Sequence, residues 1–60
     1  MRAADINEYA SHLIGAFGAK AAVEAGQRER KAREAGNDEE AAQWRKVLDV
    51  IKARQGAHAS

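Results

Sequence analysis

Two adjacent residues, Gly36 and Asn37, interrupt a helical pattern that otherwise runs through almost the whole chain. The 60 residues include no proline, and the abundant alanine, glutamate, arginine and lysine are the residue types that lose least on entering a helix. Both Gly36 and Asn37 tolerate the left-handed conformation that ends a helix, and Asn37 can also cap the next one. The sequence therefore predicts an all-α fold, an antiparallel two-helix hairpin with a long helix over about 5–35 and a shorter helix over about 38–55.

The outer ends of the two helices have weaker signals. Asp5 precedes the first periodic apolar residue and Glu8 follows three positions later, which is close to a capping box. Gly56 and the small polar tail after it predict the end of the second helix. We therefore expect one helical domain over residues 1–60, with frayed termini at 1–4 and 56–60.

Each helix carries an apolar stripe at spacings of three and four residues. The large side chains of the long helix lie in its first half, and its second half carries alanines. At about 1.5 Å per residue the long helix measures roughly 45 Å and the shorter one roughly 27 Å, so Gln55 would reach only the level of Phe17. The predicted core of the hairpin consists of Ala21, Ala25, Ala32, Trp44, Leu48 and Ile51.

The first three turns of the long helix extend past the end of the shorter helix in this arrangement. Burial of each large apolar side chain contributes about 1.5 to 3 kcal/mol, so leaving them uncovered is costly. A chain of this size without cysteine usually gains the missing stability by oligomerisation. We therefore expect a homo-oligomer, with a protein interface made of Ile6, Tyr9, Ala10, Leu13, Ile14 and Phe17.

A second architecture remains open because Gly15 and Gly18 could break the long helix into two pieces. The product would be a three-helix bundle with a break near Gly15–Gly18, in which Phe17 is buried internally. No proline or capping residue marks a new helix start there, and two glycines weaken a helix without necessarily ending it.

The sequence offers no constellation that supports catalysis. Glu8 and His12 are one turn apart, but two ligands make only half of a metal site. No serine has a base at helical spacing, and the glycines follow no strand and precede no Lys-Ser or Lys-Thr pair. We expect no catalytic residue, no metal and no cofactor, and hence a protein that is not an enzyme.

Charge and hydropathy exclude further classes of protein. The net charge is +1, so no strong field attracts an anionic partner. No apolar stretch approaches the roughly 20 residues that span a bilayer, and no secretory signal begins the sequence, so we expect a cytoplasmic protein without membrane contact. The predicted function is a small protein–protein interaction module, an adaptor, inhibitor or assembly factor, that binds itself or a larger protein.

The alternative function is a nucleic-acid-binding accessory protein that uses basic faces of both helices. Its candidate contacts on the long helix are Arg28, Arg30, Lys31 and Arg33. Glu29 and Glu34 interrupt this run, and no aromatic residue is interleaved to stack on bases. Arg28 also falls on the apolar stripe, where its guanidinium can stack on Trp44.

Overall fold

The computed structural model of the chain describes the backbone of residues 3–56 and the side chains of residues 5–56. No strand occurs in this part of the chain, and two helical segments pack against each other, so the predicted all-α hairpin is confirmed. The first segment contains two helices joined by a single 3-10 turn. The elements are α1 (Ala3–Phe17), the turn Gly18–Lys20, α2 (Ala21–Glu34) and α3 (Asp38–Gly56).

The connection between α2 and α3 forms as the sequence predicts. Gly36 has a φ of 79°, and its N–H donates to the carbonyl of Arg33, while the N–H of Asn37 donates to the carbonyl of Ala32. This pair of bonds is the Schellman arrangement that ends a helix. The side-chain oxygen of Asn37 then accepts the backbone N–H of Glu40 at 3.1 Å, which caps α3.

The outer helix ends differ from the predicted ones by one or two residues. α1 begins at Ala3, so Asp5 lies in its first turn and does not cap it. Its charge still favours the positive end of the helix dipole. α3 continues through Gly56, which was expected to belong to a frayed end. Of the predicted frayed termini, residues 1–2 and 57–60 lie outside the described part of the chain.

The first segment bends sharply at Gly18. This residue has a φ of 57°, and α2 resumes only at Ala21. The longest dimension of the molecule is 36 Å, shorter than the roughly 45 Å of a straight helix of this length. The break that the three-helix alternative placed near Gly15–Gly18 is therefore present, and α1 folds back to pack against both α2 and α3. The internal burial of Phe17 expected with that alternative is wrong, because Phe17 is the last residue of α1 and is 42% exposed.

The bend overturns the expected overhang of the long helix. Ile6, Ala10 and Leu13 are buried against the rest of the chain, with exposed fractions of 7%, 0% and 3%. The expectation that the first turns lack intramolecular cover is wrong, because the left-handed conformation of Gly18 reverses the direction of the helix axis. Three of the six predicted interface residues are thus part of the monomer's own core.

The core is continuous but made largely of small side chains. All six residues of the predicted hairpin core are buried, and α1 adds its own buried face to them. Among the side chains of residues 5–56, five of the eleven buried apolar residues are alanines, and the largest fully buried ones are Ile51 and Val47. Small side chains let the helices approach closely but bury little area each, so the core provides modest stability. The buried apolar residues are Ile6, Ala10, Leu13, Ala21, Ala25, Ala32, Ala41, Trp44, Val47, Leu48 and Ile51.

Candidate protein interaction surface

Three large apolar side chains are exposed among those that the structure describes. They are Tyr9 at 44%, Phe17 at 42% and Val23 at 59%. Two of them, Tyr9 and Phe17, belong to the predicted interface of α1. A single exposed apolar residue is normal on a protein surface, so the surroundings of each decide whether it marks a site.

Phe17 is exposed although it belongs to the buried face of α1. It follows Leu13 by four residues, and Leu13 follows Ala10 by three, so all three lie on one helix face. The first two are buried, and Phe17 is not, because it is the last residue of α1 and lies at the end of the bundle. An apolar residue that lies on the core side of a helix but is exposed to solvent is a good candidate for contact with another chain.

Ile14 and Ala19 are apolar residues close to Phe17 in the sequence. Ile14 is half-buried and packs against the core, and Ala19 is exposed in the 3-10 turn. Both line a shallow, open groove that Arg54 and Gln55 of α3 close on the other side. We call Ile14, Phe17 and Ala19 the bend surface.

Polar contacts from the end of α3 hold α1 and the bend in place. The two terminal nitrogens of Arg54 donate to Ser11 Oγ at 2.7 Å and to Asn7 Oδ1 at 3.5 Å. Gln55 Nε2 donates to the carbonyl oxygen of Gly18 at 2.8 Å. These groups are exposed, and hydrogen bonds that compete with water contribute about 1 kcal/mol or less each. The bend is therefore stabilised by hydrogen bonds that are individually weak.

Tyr9 is part of an aromatic contact inside the molecule. Its ring meets the indole of Trp44 edge-on, with ring centroids 5.4 Å apart and planes at 73°. The guanidinium of Arg28 lies 5.3 Å from the centroid of the same indole, which is the stacking that the position of Arg28 predicts. Such contacts contribute about 0.5 to 1.5 kcal/mol each. Tyr9 thus joins α1 to α3 and has only its outer part free for another chain.

Two of the four candidate nucleic-acid residues form ion pairs within the chain, and the other two are exposed. Arg28 Nε lies 3.2 Å from Glu24, and an Arg33 nitrogen lies 2.6 Å from a Glu29 carboxylate oxygen. Arg30 and Lys31 are exposed. Positive and negative side chains therefore alternate on α2, and a phosphate would have to compete with carboxylates for two of the four basic groups.

Glu29 is a buried charge that the sequence analysis missed. The residue is 6% exposed, and its carboxylate pairs with Arg33, whose side chain is 64% exposed. The sequence pattern placed Arg28 on the buried stripe, whereas the centre of the buried face lies closer to Glu29. The spacing of four between Glu29 and Arg33 was the available signal, since a paired glutamate can be buried more readily than a lone one.

Glu8 and His12 are the pair that could form half of a metal site. Both are exposed on α1, where they line an open groove with Asp5 and Tyr9. Among the side chains of residues 5–56, no three acidic or histidine groups are close enough together to hold a metal ion. Over residues 3–56, every helix is too short or too polar to cross a membrane.

The chain matches no known protein family, no curated protein and no solved structure. Evidence for the function of the chain therefore comes from its own residues and their geometry.

Proposed function

We propose that the chain is a small, non-enzymatic protein–protein interaction module that binds a second copy of itself through the bend surface. The observation that carries this proposal is the exposure of Phe17. Its side chain lies in phase with the buried residues Ala10 and Leu13, yet 42% of it is exposed. Contact with another chain would cover this remaining part of the stripe, at the same end of the bundle as Ile14 and Ala19.

The size and content of the core also support association. A chain of this length buries only about 60% of the surface exposed on unfolding. Its core relies on alanines, so the free energy from apolar burial is small for the number of ordered residues. Binding of a second copy stabilises the folded state by mass action. An adaptor, inhibitor or assembly-factor role toward a larger protein would use the same surface.

A nucleic-acid-binding role has less support. Arg28 and Arg33 are engaged with Glu24 and Glu29, and the guanidinium of Arg28 also lies over Trp44. Phosphate binding would weaken steeply as salt rises, whereas apolar pairing would not, so the two roles separate experimentally.

Sedimentation equilibrium of the wild type, Phe17→Ser and Val23→Ser tests the proposal. Burial of the exposed two-fifths of Phe17 contributes about 1 kcal/mol in each of the two copies. Phe17→Ser should therefore raise the dissociation constant of the dimer roughly thirtyfold. Val23 is the matched control because it is at least as exposed but lies on the outer face of α2, so Val23→Ser should leave the constant unchanged. Equal effects of the two substitutions, or none from Phe17→Ser, would contradict binding through the bend surface.

A further inference from the structure

We propose that the second copy binds by exchange of α1. In the dimer the bend at Gly18–Lys20 opens, residues 3–34 form one straight helix, and α1 of each chain packs against α2 and α3 of the other. This inference rests on the proposed self-association and specifies which part of the partner is bound. Four observations carry it.

The first observation is that apolar residues continue through the bend at regular intervals. Leu13, Phe17, Ala21 and Ala25 follow one another at intervals of four residues. In a straight helix each step of four residues turns about 40° around the axis, so the four side chains would form a stripe about 120° wide. Phe17 would lie between buried neighbours in this stripe. In the bent chain Leu13, Ala21 and Ala25 are buried and Phe17 is left exposed. The spacing of these residues therefore fits a continuous helix as well as it fits the bend, and the continuous helix would cover Phe17.

The second observation is that the bend has few local determinants. Neither Phe17, which precedes the 3-10 turn, nor Lys20, which precedes α2, makes a side-chain capping hydrogen bond. No proline is present, and the one left-handed residue of the bend is Gly18. Straightening loses the contact of Gln55 with the carbonyl of Gly18 but restores backbone hydrogen bonds of a regular helix. Few local interactions therefore favour the bent form over a straight helix.

The third observation is that the contacts of α1 do not require that it belong to the same chain. The Tyr9–Trp44 ring contact, the Arg54–Ser11 hydrogen bond and the burial of Leu13 would all form again between two chains. Exchange of an identical element is a low-cost route to a dimer because no new interface has to be built. Short hinges such as this three-residue turn favour exchange.

The fourth observation is the position of Phe17 directly beside the hinge. When α1 crosses to the partner, the two hinges face each other near the two-fold axis of the dimer. The bend surfaces of the two chains then meet at the centre, and each Phe17 is covered by the other copy. Exchange of α1 thus accounts for the exposed aromatic ring at the end of the monomer.

Gly18→Ala tests the hinge. An L side chain at a φ of 57° is strained in the bent form and unstrained in the straight helix, and no atom within 4 Å would clash with the added Cβ. Straightening relieves this strain of about 1 to 2 kcal/mol once in each of the two chains. The dissociation constant of the Gly18→Ala dimer should therefore be about a hundredfold lower than that of the wild type. Gly15→Ala is the matched control, since Gly15 lies within α1 at a helical φ and also has open space, and it should leave the constant unchanged. Gly18→Asn, which tolerates the left-handed conformation, should fall between wild type and Gly18→Ala.

Isotope-filtered nuclear Overhauser measurements then show which chain supplies α1. Labelled and unlabelled copies are mixed, unfolded and refolded together, and the contact between the Tyr9 ring and the Trp44 indole is observed. Exchange predicts this contact between a labelled and an unlabelled chain, in Gly18→Ala and in concentrated wild type. A dimer in which the contact occurs only within one chain would overturn the exchange and leave the proposed function standing. If neither the wild type nor Gly18→Ala dimerises, the exchange of α1 and the proposed self-association are both overturned.

Discussion

Replacement of Leu13 by alanine measures how firmly α1 is packed. Leu13 is 3% exposed and lies in the middle of the buried face of α1. Truncation of a buried leucine to alanine costs about 2 to 5 kcal/mol, depending on how far the site can collapse. We expect about 3 kcal/mol here, because α1 is a single outer helix that can relax toward α3. Since a 60-residue domain has about 3 to 9 kcal/mol in total, Leu13→Ala should remove a third of its stability or more.

The assay is unfolding by urea and by heat, monitored by far-UV circular dichroism and by the fluorescence of the single tryptophan, Trp44. At about 4 to 8 °C per kcal/mol, the melting temperature should fall by about 12 to 24 °C. Val23→Ala is the control, because Val23 is 59% exposed and its truncation should change stability by less than about 0.5 kcal/mol. Leu13 is buried whether α1 packs on its own chain or on a partner, so the expectation holds for both forms. Equal stability of Leu13→Ala and Val23→Ala would show that α1 is not packed against the rest of the chain.

Three further substitutions test local features by the same unfolding measurement. Gly36→Ala places a Cβ at a φ of 79° and should cost about 1 to 2 kcal/mol; a neutral result would argue against the left-handed helix end. Asn37→Ala removes the cap of α3 and should cost about 1 kcal/mol, and an unchanged urea midpoint would show that the cap contributes nothing. Gln43→Met should stabilise the protein by about 1 kcal/mol, because the side-chain oxygen of Gln43 is buried without a hydrogen-bond partner in the described structure; a loss of stability would indicate that this oxygen is in fact bonded.

The junction of α2 and α3 was predictable because its signals are local. Gly36 and Asn37 each have a conformational or capping preference that acts within one turn of the chain. The start of α3 at Asp38 and the burial of Trp44, Leu48 and Ile51 follow from these preferences and from the apolar period. Little tertiary information is needed to place such a junction.

The sequence could not distinguish a bend at Gly18 from a continuous first helix. Apolar residues recur at intervals of four from Leu13 to Ala25, so their spacing gives no sign of a break. What selects the bent form is the tertiary packing of α1, including the burial of Ile6 and Leu13. Packing energy of this kind is not encoded in any single turn, and the burial of Ile6, Ala10 and Leu13 was not expected for the same reason.

The buried face of α2 shows a second limit of sequence patterns. Arg28 and Glu29 are neighbours, separated by one-third of a turn, and either one could face the core. The structure buries Glu29, since Arg33 compensates its charge, and lets Arg28 lie across the indole of Trp44. A pattern of apolar positions cannot distinguish these two arrangements, because neither residue is apolar.

The solution mass of the wild-type chain tests self-association most directly. Sedimentation equilibrium over a wide concentration range, at low and at moderate salt, should show the mass rise from 6.5 kDa toward twice that value. The rise should depend little on salt, because the proposed contacts are apolar. A mass that stays at 6.5 kDa at every concentration, in a chain that remains helical, would contradict the account.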